Sequence, residues 1–438
     1  MWTRVILLSF GGFFEFYDMF LSAYVGPGLV KSGILTTTTP GLFGTTGLAG
    51  FVAAFFAGLF VGTALFGFVA DRFGRRSIFT VSLLWYTAAA TIMAFQTTAF
   101  GLDLWRFIAG IGIGVELVTI DTYIAELVPR QVRGRAFAFN QVVQFSAIPA
   151  VAFLAWLLVP IAPIGFDGWR WVVLAGSSGA LVVWFVRLAV PESPRWLAHH
   201  GRLDEAKRIV AKLEAQAFAE SGQLPDPEHI AVNETVRGSF AEVWSAQYRT
   251  RTLMLIVFNL FQTVGFYGFS NWVPSLLIKQ GIAVTASLGY TFVIAIAAPF
   301  GPLLASVFSD RIERKSMIVG AALCVALFGI VFGQMRYAVP LIVFGALITL
   351  SNNIMSFSFH AYQAELYPTR IRALAVGFVY SFSRLSTVFS AFVIAFFLDR
   401  FGVAGVFALI AASMGIVVLA IGLFGPKTRN LSLKAISR

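Results

Sequence analysis

Residues Asp71 to Arg76 read DRFGRR, and residues Asp310 to Lys315 read DRIERK, 239 positions further on. The same offset carries Tyr123, Glu126, Pro129 and Arg133 onto Tyr362, Glu365, Pro368 and Arg372. One constant offset across two separate loops marks an internal duplication, and a repeat on that scale governs the fold before any local pattern does.

What is duplicated follows from composition. The chain has 438 residues, 58% hydrophobic and 12% charged, where soluble chains carry about 25% charged residues. A water-soluble globule of this size could not cover its surface. The 46 Phe and 40 Gly suit helices packed in lipid. Disorder, a disulfide scaffold and a nucleic-acid-binding domain are excluded, and the single Cys324 cannot form an internal disulfide. The net charge of +11 comes from basic residues in short loops between apolar stretches, which is a topology signal. The apolar segment after Arg4 carries Glu15 and Asp18 and has no polar cleavage region, so it is expected to be a mature span rather than a signal peptide.

A spanning helix needs about 20 mostly apolar residues. Twelve such runs lie near 5–30, 47–70, 77–97, 99–128, 136–160, 170–190, 252–278, 283–308, 316–335, 338–365, 373–398 and 403–424. The polar stretch 191–251 divides them six and six. The expected fold is all-α and integral to the membrane: twelve transmembrane helices in two pseudo-symmetric six-helix bundles. Residues 1–190 form the first bundle, 191–251 a linker, and 252–438 the second bundle with a tail. Leu203 to Ala215 (LDEAKRIVAKLEA) reads as an amphipathic surface helix within the linker. Most of the 32 Lys and Arg fall on the side of the linker and both termini, which places these in the cytoplasm.

At these residues the chain resembles the major facilitator superfamily. Gly67 to Arg76 (GFVADRFGRR) fills the superfamily's loop motif between helices 2 and 3. Pro191 to Leu197 (PESPRWL) is similar to the sugar porter motif after helix 6. Arg106, Tyr123, Glu126, Pro129, Arg133 and Gly134 match the sugar porter pattern along helix 4. The resemblance departs from strict sugar porters at Glu15, at Glu116, at the end of helix 10 (Glu365 to Arg372) and at Pro426-Lys-Thr-Arg, where sugar porters place Glu after the Pro. These details look more like metabolite–proton symporters and organic-ion carriers of bacteria. The resemblance implies two bundles that rock about a central site, a bacterial inner-membrane location and a monomer.

Asp71, Arg72, Arg75 and Arg76, with the second copy Asp310 and Arg311, can latch helices through salt bridges and a carboxylate at a helix N-terminus. Glu126 with Arg133 and Glu365 with Arg372 belong to the same candidate gating network. Plain positive-inside topology is the alternative.

Glu15 and Asp18 lie one turn apart on one face of the first span. Translocon scales put an Asp at that depth at roughly +2.5–3.5 kcal/mol, so such groups persist when paired or able to take up a proton. At ~1.5 Å per residue, Asp18 and Arg106 of the fourth span reach matching depths from opposite ends. An Arg partner holds Asp18 ionised, and separation lets it accept a proton. Asp18, Arg106, Glu15 and Glu116 are therefore the proton-coupling candidates; the resemblance assigns that role to the Asp18–Arg106 pair. A static ion pair is the alternative, and for Glu116 a protonated acid bonded to a backbone carbonyl. Asp121 reads as structural.

Substrate candidates are Gln141 and Gln144 in the fifth span, Gln262, Tyr267 and Asn271 in the seventh, the stripe Asn352, Ser356 and His360 in the tenth, and Arg384 in the eleventh. Amides and rings suit a hydroxyl-rich substrate, whereas Arg384 and His360 suit a carboxylate. Gln141 and Gln262 fall where the resemblance places sugar-binding Gln. For each amide, an interhelical hydrogen bond is the alternative.

No nucleotide-binding loop, metal cluster or cofactor motif occurs, and Gly110, Gly112 and Gly114 read as packing glycines inside a helix. The expected function is therefore not enzymatic. It is proton-coupled uptake of a small polar organic metabolite, either a sugar or a small carboxylate, with no nucleic-acid partner. A transporter-derived receptor without turnover, or an organic-ion carrier without proton coupling, is the alternative.

Overall fold

A computed structural model describes residues 2–66, 72–128, 133–179, 185, 190–221, 239–308 and 311–428. Those residues are helical throughout, apart from short connections and one isolated bridge between Pro40 and Thr46.

The first half begins with α1 (Trp2–Lys31), α2 (Gly47–Phe66), α3 (Arg75–Ala94) and α4 (Ala99–Leu127), and continues with α5 (Arg133–Leu158) and α6 (Gly168–Ser177). Two helices follow in the linker, α7 (Pro194–His199) and α8 (Leu203–Ser221). The second half comprises α9 (Arg249–Ser270), α10 (Val273–Lys279), α11 (Val284–Ala295), α12 (Phe300–Phe308), α13 (Arg314–Gln334), α14 (Ala338–Glu365) and α15 (Thr369–Phe424). The bounds reproduce most of the apolar runs read from sequence, and α8 extends the amphipathic stretch of the linker. Local signals set several ends. The Thr98 side chain accepts a hydrogen bond from the Gly101 amide at the start of α4, and Ser193 accepts one from Trp196 ahead of Pro194.

Four expected spans differ in detail. The seventh is broken at Asn271–Trp272 into α9 and α10, and the eighth is interrupted between α11 and α12. The eleventh and twelfth run together as α15, where Gly402, at φ 65° and ψ −164°, turns the chain between two arms. That positive φ is open to glycine and strained for other residues. Among the described residues nine segments are long and apolar enough to cross a membrane. α4 has the length but carries Asp103, Arg106, Glu116, Asp121 and Glu126.

α2 and α4 pack with backbones in contact. A Cβ built on Gly58 would stand 2.0 Å from the Phe107 carbonyl oxygen, and one on Gly62 2.2 Å from that of Ile111. Gly110 and Gly114 answer from α4, 2.3 Å from the carbonyl of Phe55 and 2.4 Å from that of Leu59. Small residues four apart on both helices allow this approach in lipid. Gly112 instead faces Trp85 of α3, at 2.6 Å, so the alternating glycines serve two neighbours. Gly110→Leu is expected to remove folded protein, because backbone on the opposite helix cannot yield as a side chain can. Loss of the monodisperse peak in detergent chromatography checks it; a wild-type profile refutes the close packing.

The halves meet where α2 lies against α15 and α5 against α11. At the second contact Trp156 stacks on Phe292, with centroids 5.9 Å apart and planes 11° apart.

Candidate functional site

The polar side chains of α1 and α4 meet inside the first half. Arg106 is fully buried, and its Nη1 donates to Asp18 Oδ2 at 2.9 Å. Its Nη2 donates to the Asp18 carbonyl and its Nε to Ser22 Oγ at 3.2 Å. The guanidinium also lies 4.1 Å from the Phe55 ring centroid. The depth match read from sequence is thus an ion pair with every guanidinium nitrogen engaged. Glu15 and Glu116 are both fully buried, within electrostatic reach of one another. Neither carboxylate oxygen of Glu116 has a hydrogen-bond donor among the described residues. The Tyr86 phenol lies within reach of Glu15, Asp18 and Glu116.

The second polar group lies between the halves. Arg384, on the first arm of α15, is 2% exposed. It donates from Nη1 to the Tyr267 hydroxyl at 2.8 Å and from Nη2 to the Tyr380 hydroxyl at 2.9 Å. Its Cζ stands 4.9 Å from the Tyr380 ring centroid. Among the described residues no carboxylate lies within ion-pair distance of it. Tyr267 packs edge-on to Phe56 of α2 at 4.7 Å and stacks on Phe20 of α1 at 6.4 Å. Among the described residues its own hydroxyl proton meets only the Met19 sulfur, at 3.7 Å. The Arg384 environment therefore touches both halves.

His360 sits against Tyr380, ring centroids 5.4 Å apart, and its Nδ1 lies 2.7 Å from the Ser356 carbonyl. Asn352 donates weakly to the Gly265 carbonyl, at 3.4 Å. Asn271, at the break between α9 and α10, is buried with both ends of its amide unbonded among the described residues. Gln144 is buried on the backbone of Gly12. Gln141 and Gln262 are half-buried and make no hydrogen bond within the described residues. The structure thus joins Tyr267, His360 and Arg384 into one group. It leaves Asn271, Gln141 and Gln262 with amide capacity to spare.

At the basic end the two halves use one device with the parts exchanged. Glu192 Oε1 accepts from the amides of Arg75 and Arg76, at 2.9 and 3.2 Å, capping α3. Tyr123 donates to the Pro191 carbonyl. In the second half Tyr362 donates to the Pro426 carbonyl at 2.8 Å. The carboxylate there is Glu313, which accepts from the Thr428 amide at 2.9 Å. Glu313 is the repeat partner of Gly74, while Pro191-Glu192 corresponds in motif to Pro426-Lys427. Gly74 has φ 96°, and a Cβ there would meet Glu192 Oε2 at 2.4 Å. The carboxylate stands either on the loop or after the last helix of its half, and the opposite position is Gly or Lys.

Glu365 pairs with Arg314 at 3.0 Å. Arg372 donates to the Tyr367 carbonyl at 3.2 Å and stays within electrostatic reach of Glu365. Arg72 and Arg311 are exposed. Asp71 and Asp310, and the side chains of Asp121, Glu126 and Arg133, lie outside the described residues. Sequence reasoning passed over Ser22, Tyr380 and Thr428, met Glu313 and Arg314 only as parts of the second loop copy, and quoted Glu192 only as part of a motif. Ser22 and Tyr380 each stand one helical turn from a charged residue already singled out. Arg314 is the repeat of Arg75.

Two buried ion-handling groups inside a duplicated helical membrane fold define a solute carrier. The chain belongs to the "Sugar (and other) transporter" family, whose model matches residues 5–438. It is 30% identical to YyaJ of Bacillus subtilis (strain 168), a protein named for metabolite transport, over 95% of this chain and 90% of that protein. It is 29% identical to the niacin transporter NiaP of Acinetobacter baylyi, over 99% and 96%. The xylose transporter XylE from E. coli, solved in a partially occluded inward-open conformation, superposes with a TM-score of 0.76 at 19% identity, covering 98% and 99%. The protein is a multi-pass membrane transporter of the major facilitator superfamily, related to transporters and not to enzymes.

Proposed function

We propose that this chain is a proton-coupled symporter that takes up a small organic carboxylate by alternating access. One observation supports it most. Among the described residues three basic side chains are buried, Arg106, Arg170 and Arg384, and only Arg384 lacks a protein carboxylate at ion-pair distance. A buried guanidinium is costly without an anion. Arg106 has its anion in Asp18, which forms the proton-coupling pair with Glu15 and Glu116 nearby. Arg384 takes its anion from the substrate. Tyr267, which bonds Arg384 and packs on Phe20 and Phe56, carries occupancy to the contact between halves.

Relatives named as a niacin transporter and as an arabinose–proton symporter bracket the acid and sugar alternatives. For a sugar, Gln141, Gln262 and Asn271 are the ready ligands. Residues 1–190 and 252–438 act as the two rocking bundles, with linker and termini in the cytoplasm of a bacterial cell and the basic-end network closing that side. The transporter works as a monomer.

Reconstituted in proteoliposomes with an acidic exterior, the protein is expected to accumulate labelled acid above equilibrium, and a protonophore to abolish the excess. Binding without uptake would make the protein a receptor. Uptake that only equilibrates, whatever the gradient, would remove proton coupling.

A further inference from the structure

Resting on the reading of Arg384 as the carboxylate site, we propose that the carried acid is a hydroxy-monocarboxylate whose hydroxyl is read by His360. The Ser356 carbonyl can only accept, so the His360 Nδ1 at 2.7 Å must carry the hydrogen of that bond. In the neutral ring Nε2 is then an acceptor. It makes no hydrogen bond within the described residues, and it is not among the fully enclosed polar atoms left unbonded. His360 and Arg384 flank one phenol. Arg384 Nη2 bonds the Tyr380 hydroxyl at 2.9 Å, and the imidazole meets the Tyr380 ring at 66° and 5.4 Å.

The group thus offers charged donors at Arg384 and a neutral acceptor at His360 Nε2. Each dictates a complementary group: a carboxylate for Arg384, which also has the under-used Tyr267 proton beside it, and an O–H donor for His360. Among the described residues no carboxylate stands at ion-pair distance from Arg384, and Glu15 already acts on it from further off, so the guanidinium matches at most one ligand charge; a dianion would leave its second charge unmatched in a buried site. A site that keeps an acceptor for a hydroxyl rejects the analogue lacking it, because the acceptor then stays unbonded.

The test uses the full-length protein in detergent and direct calorimetric binding. The probes are 3-hydroxybenzoate, 4-hydroxybenzoate and gluconate, each against the matching acid without hydroxyls (benzoate or hexanoate) and the matching neutral alcohol. Expected is a preference of about tenfold for at least one hydroxy acid over its plain acid, one hydrogen bond's worth. His360→Leu should erase that preference by weakening the hydroxy acid more than the plain acid. His360→Gln, whose amide reaches the place of Nε2, should restore part of it. Equal binding of hydroxylated and plain acids, or binding of none of the hydroxy acids, overturns the inference. Acids that still outbind neutral alcohols in the first of those cases leave the Arg384 reading standing. Neutral alcohols that bind as well as acids defeat the Arg384 reading itself.

Discussion

Asp18→Asn is expected to abolish gradient-driven accumulation while substrate binding and exchange survive. The Arg106 guanidinium spends three contacts on this part of α1: the Asp18 carboxylate, the Asp18 carbonyl and the Ser22 hydroxyl. Two of these do not involve the carboxylate, so an Asn of the same shape keeps the helices joined. What Asn cannot do is exchange between an ionised, Arg-paired state and a protonated, separated one. A carrier with a fixed neutral group at this position can still reorient with substrate bound, but the proton gradient no longer biases the direction. Counterflow of labelled against unlabelled substrate should therefore persist, while accumulation falls to equilibration. The static alternative makes a different forecast. Were the pair only a brace, Asp18→Asn would lower folded yield and thermal stability, since removing one member of a buried pair commonly costs about 3–5 kcal/mol. Accumulation per folded molecule would then be unchanged. Full accumulation by a stable Asp18→Asn protein would transfer coupling to Glu15 or Glu116, which share the same buried space.

That pair was legible in sequence because depth along a spanning helix is arithmetic: two helices of opposite direction, a fixed rise, one acid and one base. The duplication and most helix bounds were legible for a similar reason, since lipid forces apolar runs of near-constant length. The packing role of Gly110 and Gly114 could be read from spacing, although their partners Gly58 and Gly62 could not be assigned without knowing which helices touch. The capping of α3 by Glu192 joins residues more than a hundred positions apart, and no periodicity reports such contacts. The exchange of that carboxylate for Glu313 in the second half was visible only as departures, an extra Glu in one loop and a missing Glu after Pro426. It took the contacts with Thr428 to make the two one fact. Arg384 was recognisable as a charge needing a counterpart. Its actual neighbours are phenols, and a tyrosine in an aromatic-rich membrane chain carries no charge pattern to betray it. The breaks in the seventh and eighth spans were overlooked because apolar residues resume on both sides, although Pro274 and Pro299 stand at them.

Arg384→Lys is expected to weaken binding of acidic ligands by roughly tenfold or more, the loss of a charge-assisted hydrogen bond, and to change binding of neutral analogues little. The substitution keeps the positive charge and removes the planar fork. In the native site one edge of the fork is committed to Tyr267 and Tyr380, which hold the plane in a single orientation. The guanidinium can bond these phenols and a ligand carboxylate together because its five N–H donors diverge in one plane. An ammonium has three donors on a flexible stem. Satisfying both phenols leaves it one, with no fixed direction, so a carboxylate loses its second bond and its register. A neutral alcohol asks for a single bond and loses less. The experiment is a pair of titrations, an acid and its neutral analogue, on wild-type and variant protein of equal thermal stability. Should both ligands lose affinity equally, Arg384 braces Tyr267 and Tyr380 rather than meeting the substrate. Recognition would then pass to the unbonded amides of Gln141, Gln262 and Asn271, whose directional donors and acceptors suit the hydroxyls of a sugar.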